Sequence, residues 1–211
     1  MANRTLTTLA VATALTGATA AAQDFDVADF DALRASAGVD VAVTVGSEHS
    51  VRLVSDTDPA DVRVTVSGGT LTLSRERTSG LNINFGRDAR IAFEVTMPSI
   101  TAAESASGAD VTITGIDAGS LDLKASSGSD LTASGRCETL SAAASSGSDI
   151  LAFNLSCSNV QAKSSSGSDI EIEATSSIEA AASSGGDITV RGNPEQRSIR
   201  ESSGGGVTIR S

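Results

Sequence analysis

From residue 100 onward, apolar and polar residues alternate with a period of two on both sides of a recurring polar phrase. The phrase runs Ala106-Ser-Gly-Ala-Asp-Val, Ser126-Ser-Gly-Ser-Asp-Leu, Ser145-Ser-Gly-Ser-Asp-Ile, Ser165-Ser-Gly-Ser-Asp-Ile, Ser183-Ser-Gly-Gly-Asp-Ile and Ser202-Ser-Gly-Gly-Gly-Val. Its first glycines, Gly108, Gly128, Gly147, Gly167, Gly185 and Gly204, are separated by 20, 19, 20, 18 and 19 residues. Before the glycine stand pairs such as Leu121 and Leu123, Leu140 and Ala142, Val160 and Ala162, and Ile178 and Ala180. After it stand Leu131 and Ala133, Ile150 and Ala152, Ile170 and Ile172, and Ile188 and Val190. Period-two alternation on both flanks predicts two half-buried strands per repeat. The phrase between them is the turn, where Gly supplies positive φ and Ser and Asp can bond nearby backbone groups.

A unit of about 19 residues with two short strands cannot bury a face alone, so it must stack on its neighbours. Parallel stacking at ~4.8 Å per coil gives an all-β fold, a parallel β-helix. Branched residues on one wall then meet Ala and Ser on the other, so Ala belongs to a thin core rather than to helices. Equivalent glycines should lie above one another, with Ile150, Ile170 and Ile188 in one interior column.

The first half is less regular. Ala37-Gly38-Val39-Asp40 resembles the repeat phrase, with Val41 and Val43 at inward positions. Residues 50–54, 62–67, 70–74, 81–85 and 90–97 also read as strands, and Gly68-Gly69 is a two-residue hairpin signal. Residues 75–89, with Thr78-Ser79-Gly80, read as including a loop. The pattern is compatible with wider coils of the same helix and with a sheet packed on its end.

These elements resemble the bacterial head GIN domain family of auto-transporter adhesins over residues 25–211. The matching features are Phe30-Asp31 followed by a Val-rich strand pair, the Met97-Pro98-Ser99-Ile100 junction and the repeated Ser-Gly-Ser-Asp turns. The turns are the specific part. The resemblance implies a right-handed parallel β-helix in an exported protein, an adhesin or envelope interaction module, and it transfers no catalytic residues. An auto-transporter would need a translocator barrel after Ser211, so the chain is not expected to export itself.

The start of the chain supports export. Arg4 gives a short positive region, Leu6–Thr16 is mildly apolar, and Ala20-Ala21-Ala22 allows cleavage before Gln23. The expected organisation is therefore a signal peptide over 1–22, an N-terminal β region over 23–100, and regular repeats of the same domain over 101–211. No segment approaches the ~20 apolar residues of a membrane-spanning helix. A soluble protein in the periplasm or outside the cell follows.

The formal charge is −11, or −12 once Arg4 is lost with the leader, and only Lys124 and Lys163 are lysines. Such a surface disfavours nucleic acid and anionic membranes as partners. The chain has no Trp, no Tyr and five Phe, which removes the usual aromatic platforms for sugars and protein hot spots. The expected partner is a surface ligand, protein or glycan. The alternatives are a purely structural periplasmic protein and a carbohydrate-active β-helix enzyme. A glycosidase needs a carboxylate pair across a cleft, whereas the acidic residues here mark turns. The single histidine, His49, reads as a solvated loop residue. A threonine ladder of the ice-binding kind is broken, because Leu151 and Glu171 interrupt Thr112, Thr132, Thr189 and Thr208.

Two constellations remain. Asp110, Asp130, Asp149, Asp169 and Asp187 should form a column at ~4.8 Å spacing. Calcium could bridge them, but one carboxylate per coil is far from the six or so oxygens a site needs. The expectation is no metal and no cofactor, with each Asp bonded to amides of its own turn. Cys137 and Cys157 lie ten residues before Gly147 and Gly167, so they occupy the same position in successive coils. Stacking brings their Cα atoms to ~4.8 Å, within disulfide range, and a disulfide is predicted. In the last repeat Gly206 replaces the turn Asp and Glu201 takes an inward position. This predicts an uncovered edge at Val207–Arg210 and weak end-to-end homodimers.

Overall fold

The structure, a computed structural model, describes residues 22–55, 57–76 and 90–210. The expected leader, the strand read at 81–85 and the Thr78-Ser79-Gly80 loop lie outside them. The strands are β1 (Gln23–Phe25), β2 (Ala32–Ser36), β3 (Val39–Val45), β4 (Ser50–Leu53), β5 (Val62–Ser67), β6 (Thr70–Arg75), β7 (Ile91–Met97) and β8 (Ala102–Ala106). They continue as β9 (Asp110–Ser126), β10 (Asp130–Ser145), β11 (Asp149–Ser165), β12 (Asp169–Ser183), β13 (Asp187–Arg191), β14 (Gln196–Ser202) and β15 (Gly206–Arg210). One 3₁₀ turn, Pro59–Asp61, is capped by the Asp58 carboxylate on the Ala60 N–H.

The result is a β-solenoid of about five turns with coils of about 20 residues. Strands β9 to β12 are long because each bends around a corner and serves both walls. One wall holds the segments after the turn glycine, the other the segments before it. On the first, Val111, Leu131, Ile150, Ile170, Ile188 and Val207 stand in register on successive parallel strands. On the second, Leu121, Leu140, Val160 and Ile178 do the same. All except Val207 are buried. Burying each Leu or Ile contributes roughly 1.5–3 kcal/mol, and the walls close on Ala125, Ala144 and Ala182, which leave room for them.

The turns show why the phrase has its composition. Ser127 and Gly128 both take positive φ (60° and 67°), and the same pair recurs at each corner from Ala37-Gly38 to Ser203-Gly204. The next residue seals the turn from inside. Ser129 Oγ accepts the Ser126 N–H (3.1 Å) and donates to the Ser105 carbonyl of the neighbouring coil (2.7 Å). Ser148 and Ser168 likewise bridge the N–H and carbonyl of Ser145 and Ser165. All three serines are fully buried and all three are satisfied.

The N-terminal half belongs to the same stack rather than to a separate sheet packed on its end. Strand β3 lies between β7 and β9, parallel to both, and β2 lies between β6 and β8. The first coil is thus inside the stack, with the β6–β7 coil on its outer side. Antiparallel strands finish that end, β4 and β1 beyond β7 and β5 beyond β6. The β5–β6 hairpin turns at Gly68-Gly69, as the dipeptide predicts, with φ of 57° and 76°.

Candidate functional site

The predicted disulfide is present. Cys137 and Cys157 are register partners on β10 and β11, with Cα atoms 4.6 Å apart and their sulfurs bonded. The cross-link lies at a corner in the middle of the stack, where it ties two coils together.

The aspartates also stack. Asp110, Asp130, Asp149, Asp169 and Asp187 are mutual register partners, and Asp40 pairs with Asp110 to add a sixth member. Asp40 is legible in Ala37-Gly38-Val39-Asp40, which places it two residues after the glycine as in the later turns. It forms an ion pair with Arg90. For the carboxylates the sequence suggested bonds to the amides of their own turns; among the described residues no such bond is found. Two of them reach the next coil: the Asp169 N–H donates to Asp149 Oδ1 (3.1 Å) and the Gly206 N–H to Asp187 Oδ1 (3.0 Å). The buried serines take the in-turn role instead. Among the described residues no group of three or more His, Cys, Asp or Glu is placed to hold a metal ion.

Partial burial first, and then the carboxylates above and below, hold Asp130 and Asp169 above the ordinary carboxylate value. A folded-state value raised above the unfolded one gives stability that is complete below about pH 4 and is lost as pH rises through the raised value. Asp117 and Glu179, lowered by hydrogen bonds from Arg136 and Arg200, work in the opposite sense at positions open to solvent. The column's own contribution is therefore read by difference. Asp169→Asn keeps an oxygen for the Asp187 N–H and removes one charge. It should raise stability at pH 7 by less than about 1 kcal/mol, seen as a melting upshift of a few degrees. The upshift should vanish near pH 4. An upshift that grows as pH falls would contradict this.

His49 is half-buried and bonded rather than free in a loop. Its Nε2 lies 2.8 Å from the Phe30 carbonyl and 3.3 Å from the Phe30 nitrogen, and its ring packs edge-on against Phe30 at 4.8 Å. It anchors the segment entering β2.

One depression lies on the outside of the pre-glycine wall, across β10, β11, β12 and β14. It is a groove of about 430 Å³ lined by one row of Thr139, Asn159, Ser177 and Gln196 and a second of Ser141, Gln161, Glu179 and Ser198. Inward positions on these strands are spent on the core, so every second side chain projects into the groove at one-strand spacing. Ser177 Oγ donates to Asn159 Oδ1 (2.8 Å) and Gln161 Nε2 to Glu179 Oε2 (3.4 Å). Arg200 Nη1 donates to Glu179 Oε1 (2.7 Å), which holds that carboxyl below its ordinary value. The floor is thus a lattice of hydroxyls and carboxamides with the Glu179–Arg200 ion pair set in it and Arg197 at its margin. The apolar half of the alternation, which predicts the core, does not reveal it. The signal lies in the polar half, at the outward position six residues before each glycine, occupied by Ser141, Gln161, Glu179 and Ser198.

The post-glycine wall is different outside. Leu151 is exposed, and the Arg191 guanidinium stacks over the Phe153 ring at 3.9 Å.

Solved structures share this architecture. A protein described as a "putative adhesin" from Bacteroides fragilis superposes with a TM-score of 0.70 at 20% identity, covering 90% of this chain and 96% of its own. One of the same description from Parabacteroides merdae gives 0.50 at 11% identity with the same coverages. At these identities the likeness concerns the fold. No curated protein matches the sequence. The family model "Putative auto-transporter adhesin, head GIN domain" matches residues 29–194, well over half of the chain. With the repeated turns, the stacked coils and that match in hand, the chain belongs to the head GIN domain family.

Proposed function

We propose that the protein is an exported, non-enzymatic surface-binding module whose ligand is a glycan lying along the polar groove of the pre-glycine wall. The observation that carries this reading is the groove floor itself: hydroxyl, carboxamide and carboxylate groups repeating at one-strand spacing on a rigid sheet. Polyhydroxylated chains offer donors and acceptors at comparable intervals, and side chains held by a sheet are pre-organised to meet them. No aromatic ring lines the groove, so each contact is weak and attachment depends on many copies. The family's adhesin description agrees with this role.

Export rests on the leader pattern over 1–22 and on the disulfide, which belongs to an oxidising compartment. Residues 23–100 and 101–211 then make one mature domain in the periplasm or at the cell surface. Among the described residues no helix is long and apolar enough to cross a membrane. The aspartate column acts as a structural ladder rather than a calcium site.

Deleting the gene should reduce attachment of cells to glycan-coated surfaces. Complementation with a chain carrying Asn159→Ala, Gln161→Ala and Glu179→Ala should fail to restore it, although the variant folds and is exported. Full attachment by this triple variant would remove the groove from the account. Turnover of a polysaccharide by the purified protein would replace it with the enzymatic reading.

A further inference from the structure

The C-terminal end of the stack departs from every coil before it. Strand β14 pairs only with β12 and β15 only with β13 among the described residues, so each presents a free edge. Inward columns that hold only apolar residues and small serines along the stack change here. Arg197 follows Ile178 and Glu201 follows Ala182, with Ile199 between them following Ala180. Ile199 is 43% exposed although it points into the coil, and Val207 and Ile209 on the opposite wall are only partly buried.

These three inward residues of β14 are arranged as a charge palindrome. Arg197 and Glu201 stand two positions either side of Ile199. We propose that two copies associate end to end through this surface, about a two-fold axis that passes through Ile199. Antiparallel pairing of β14 with its own copy then places Ile199 against Ile199. It also places Arg197 of each copy opposite Glu201 of the other, so one residue pair is satisfied twice. That is the self-complementarity an isologous interface requires. The same axis brings the Val207 and Ile209 sides of the two β15 strands together and closes the open core. Each free edge gains a row of backbone hydrogen bonds. Head-to-tail stacking is disfavoured by the other end of the molecule. There β5 presents Val62, Val64 and Val66 inward, which would set Arg197 and Glu201 against an apolar strand instead of against charges of opposite sign.

Within one copy both charges already have local partners. Glu201 Oε1 accepts the Val207 N–H (2.6 Å), and Arg197 donates to the Pro194 carbonyl and Asn193 Oδ1. These bonds hold the side chains at the mouth of the coil, and pairing with a second copy adds to them. The inference does not rest on the groove reading: Arg197 borders both surfaces, but Ile199 and Glu201 lie outside the groove lining.

Charge reversal tests it. In sedimentation velocity the wild-type protein should form dimers increasingly as concentration rises toward about 1 mM, the range of a weak contact, and lose them in high salt. Arg197→Glu alone places Glu opposite Glu, and Glu201→Arg alone places Arg opposite Arg, so each should be monomeric. Mixing the two variants makes both pairs complementary, and dimers should return as heterodimers. Ile199→Cys should cross-link to its own copy under mild oxidation faster than Ser198→Cys, which would face Arg200 on the outer side. Folding of the charge variants is checked by circular dichroism, and the Cys variants decide the matter if either fails to fold. A wild-type protein that stays monomeric throughout, a mixture that does not associate, or equal cross-linking at 198 and 199 would overturn the proposal. The inward charges would then serve to block pairing at an exposed edge.

Discussion

Gly135→Ala is expected to lower stability by about 3 kcal/mol or more, a fall in melting temperature of roughly 10 °C for a chain of this size. Gly135 sits at the second corner of its coil with φ 134°, and it lies directly over Ile116 of the coil below. A Cβ there would stand 2.6 Å from the Ile116 nitrogen and 2.8 Å from its carbonyl carbon. Both are backbone atoms inside a hydrogen-bonded ladder, so neither can move without unpairing the strands. The turn glycines make the control. Gly128 has φ 67°, but a Cβ added there would meet nothing within 4 Å, so Gly128→Ala carries only the torsional cost, about 1 kcal/mol. Its neighbour Ser127 already takes φ 60° without glycine's freedom. Equal losses at Gly135 and Gly128 in thermal melts would show that close stacking at the second corner is not what demands glycine.

Removing the disulfide should have an effect of similar size. The bond closes a loop between residues separated by 20 positions, which corresponds to roughly 3 kcal/mol through restriction of the unfolded chain. In a stack whose coils contact only their neighbours, it also ties β10 to β11 covalently, so the stack cannot divide between them. Cys137→Ala with Cys157→Ala should therefore melt about 10 °C lower than the parent. Reductant should lower the parent by a comparable amount and leave the double variant unchanged. A double variant that melts with the parent would show that ladder hydrogen bonds and core columns alone hold this corner.

The second half of the molecule is legible in the sequence because burial and backbone geometry repeat together. Once Gly128, Gly147 and Gly167 are aligned, Leu131, Ile150 and Ile170 must share a column, and Cys137 must face Cys157. The first half is legible only as strands. Val39–Val45 looks the same whichever strands flank it, so nothing local reveals that β3 lies between β7 and β9 or that the chain crosses to the outer coil and returns. Long-range threading leaves no periodic trace. The aspartates form the column that their spacing predicts, but Asp149 and Asp187 bond the next coil rather than their own turns. A side chain two residues past the glycine points along the stack, toward the next turn's N–H, and the buried serine beside it is better placed to seal its own turn. The groove is hidden for another reason. Outward residues such as Gln161 and Glu179 obey no hydrophobic rule, and only the three-dimensional register turns them into a surface.

Glycan binding along this surface is tested most directly by exposing the purified protein to an array of cell-surface glycans, immobilised densely so that weak contacts add. The wild-type protein and the Asn159, Gln161 and Glu179 alanine variant are compared, with chelator and with calcium. The wild type should be retained on a subset of glycans, the variant should lose that retention, and chelator and calcium should give the same result. Absence of wild-type binding, or equal binding by the variant, would contradict the groove as a glycan site.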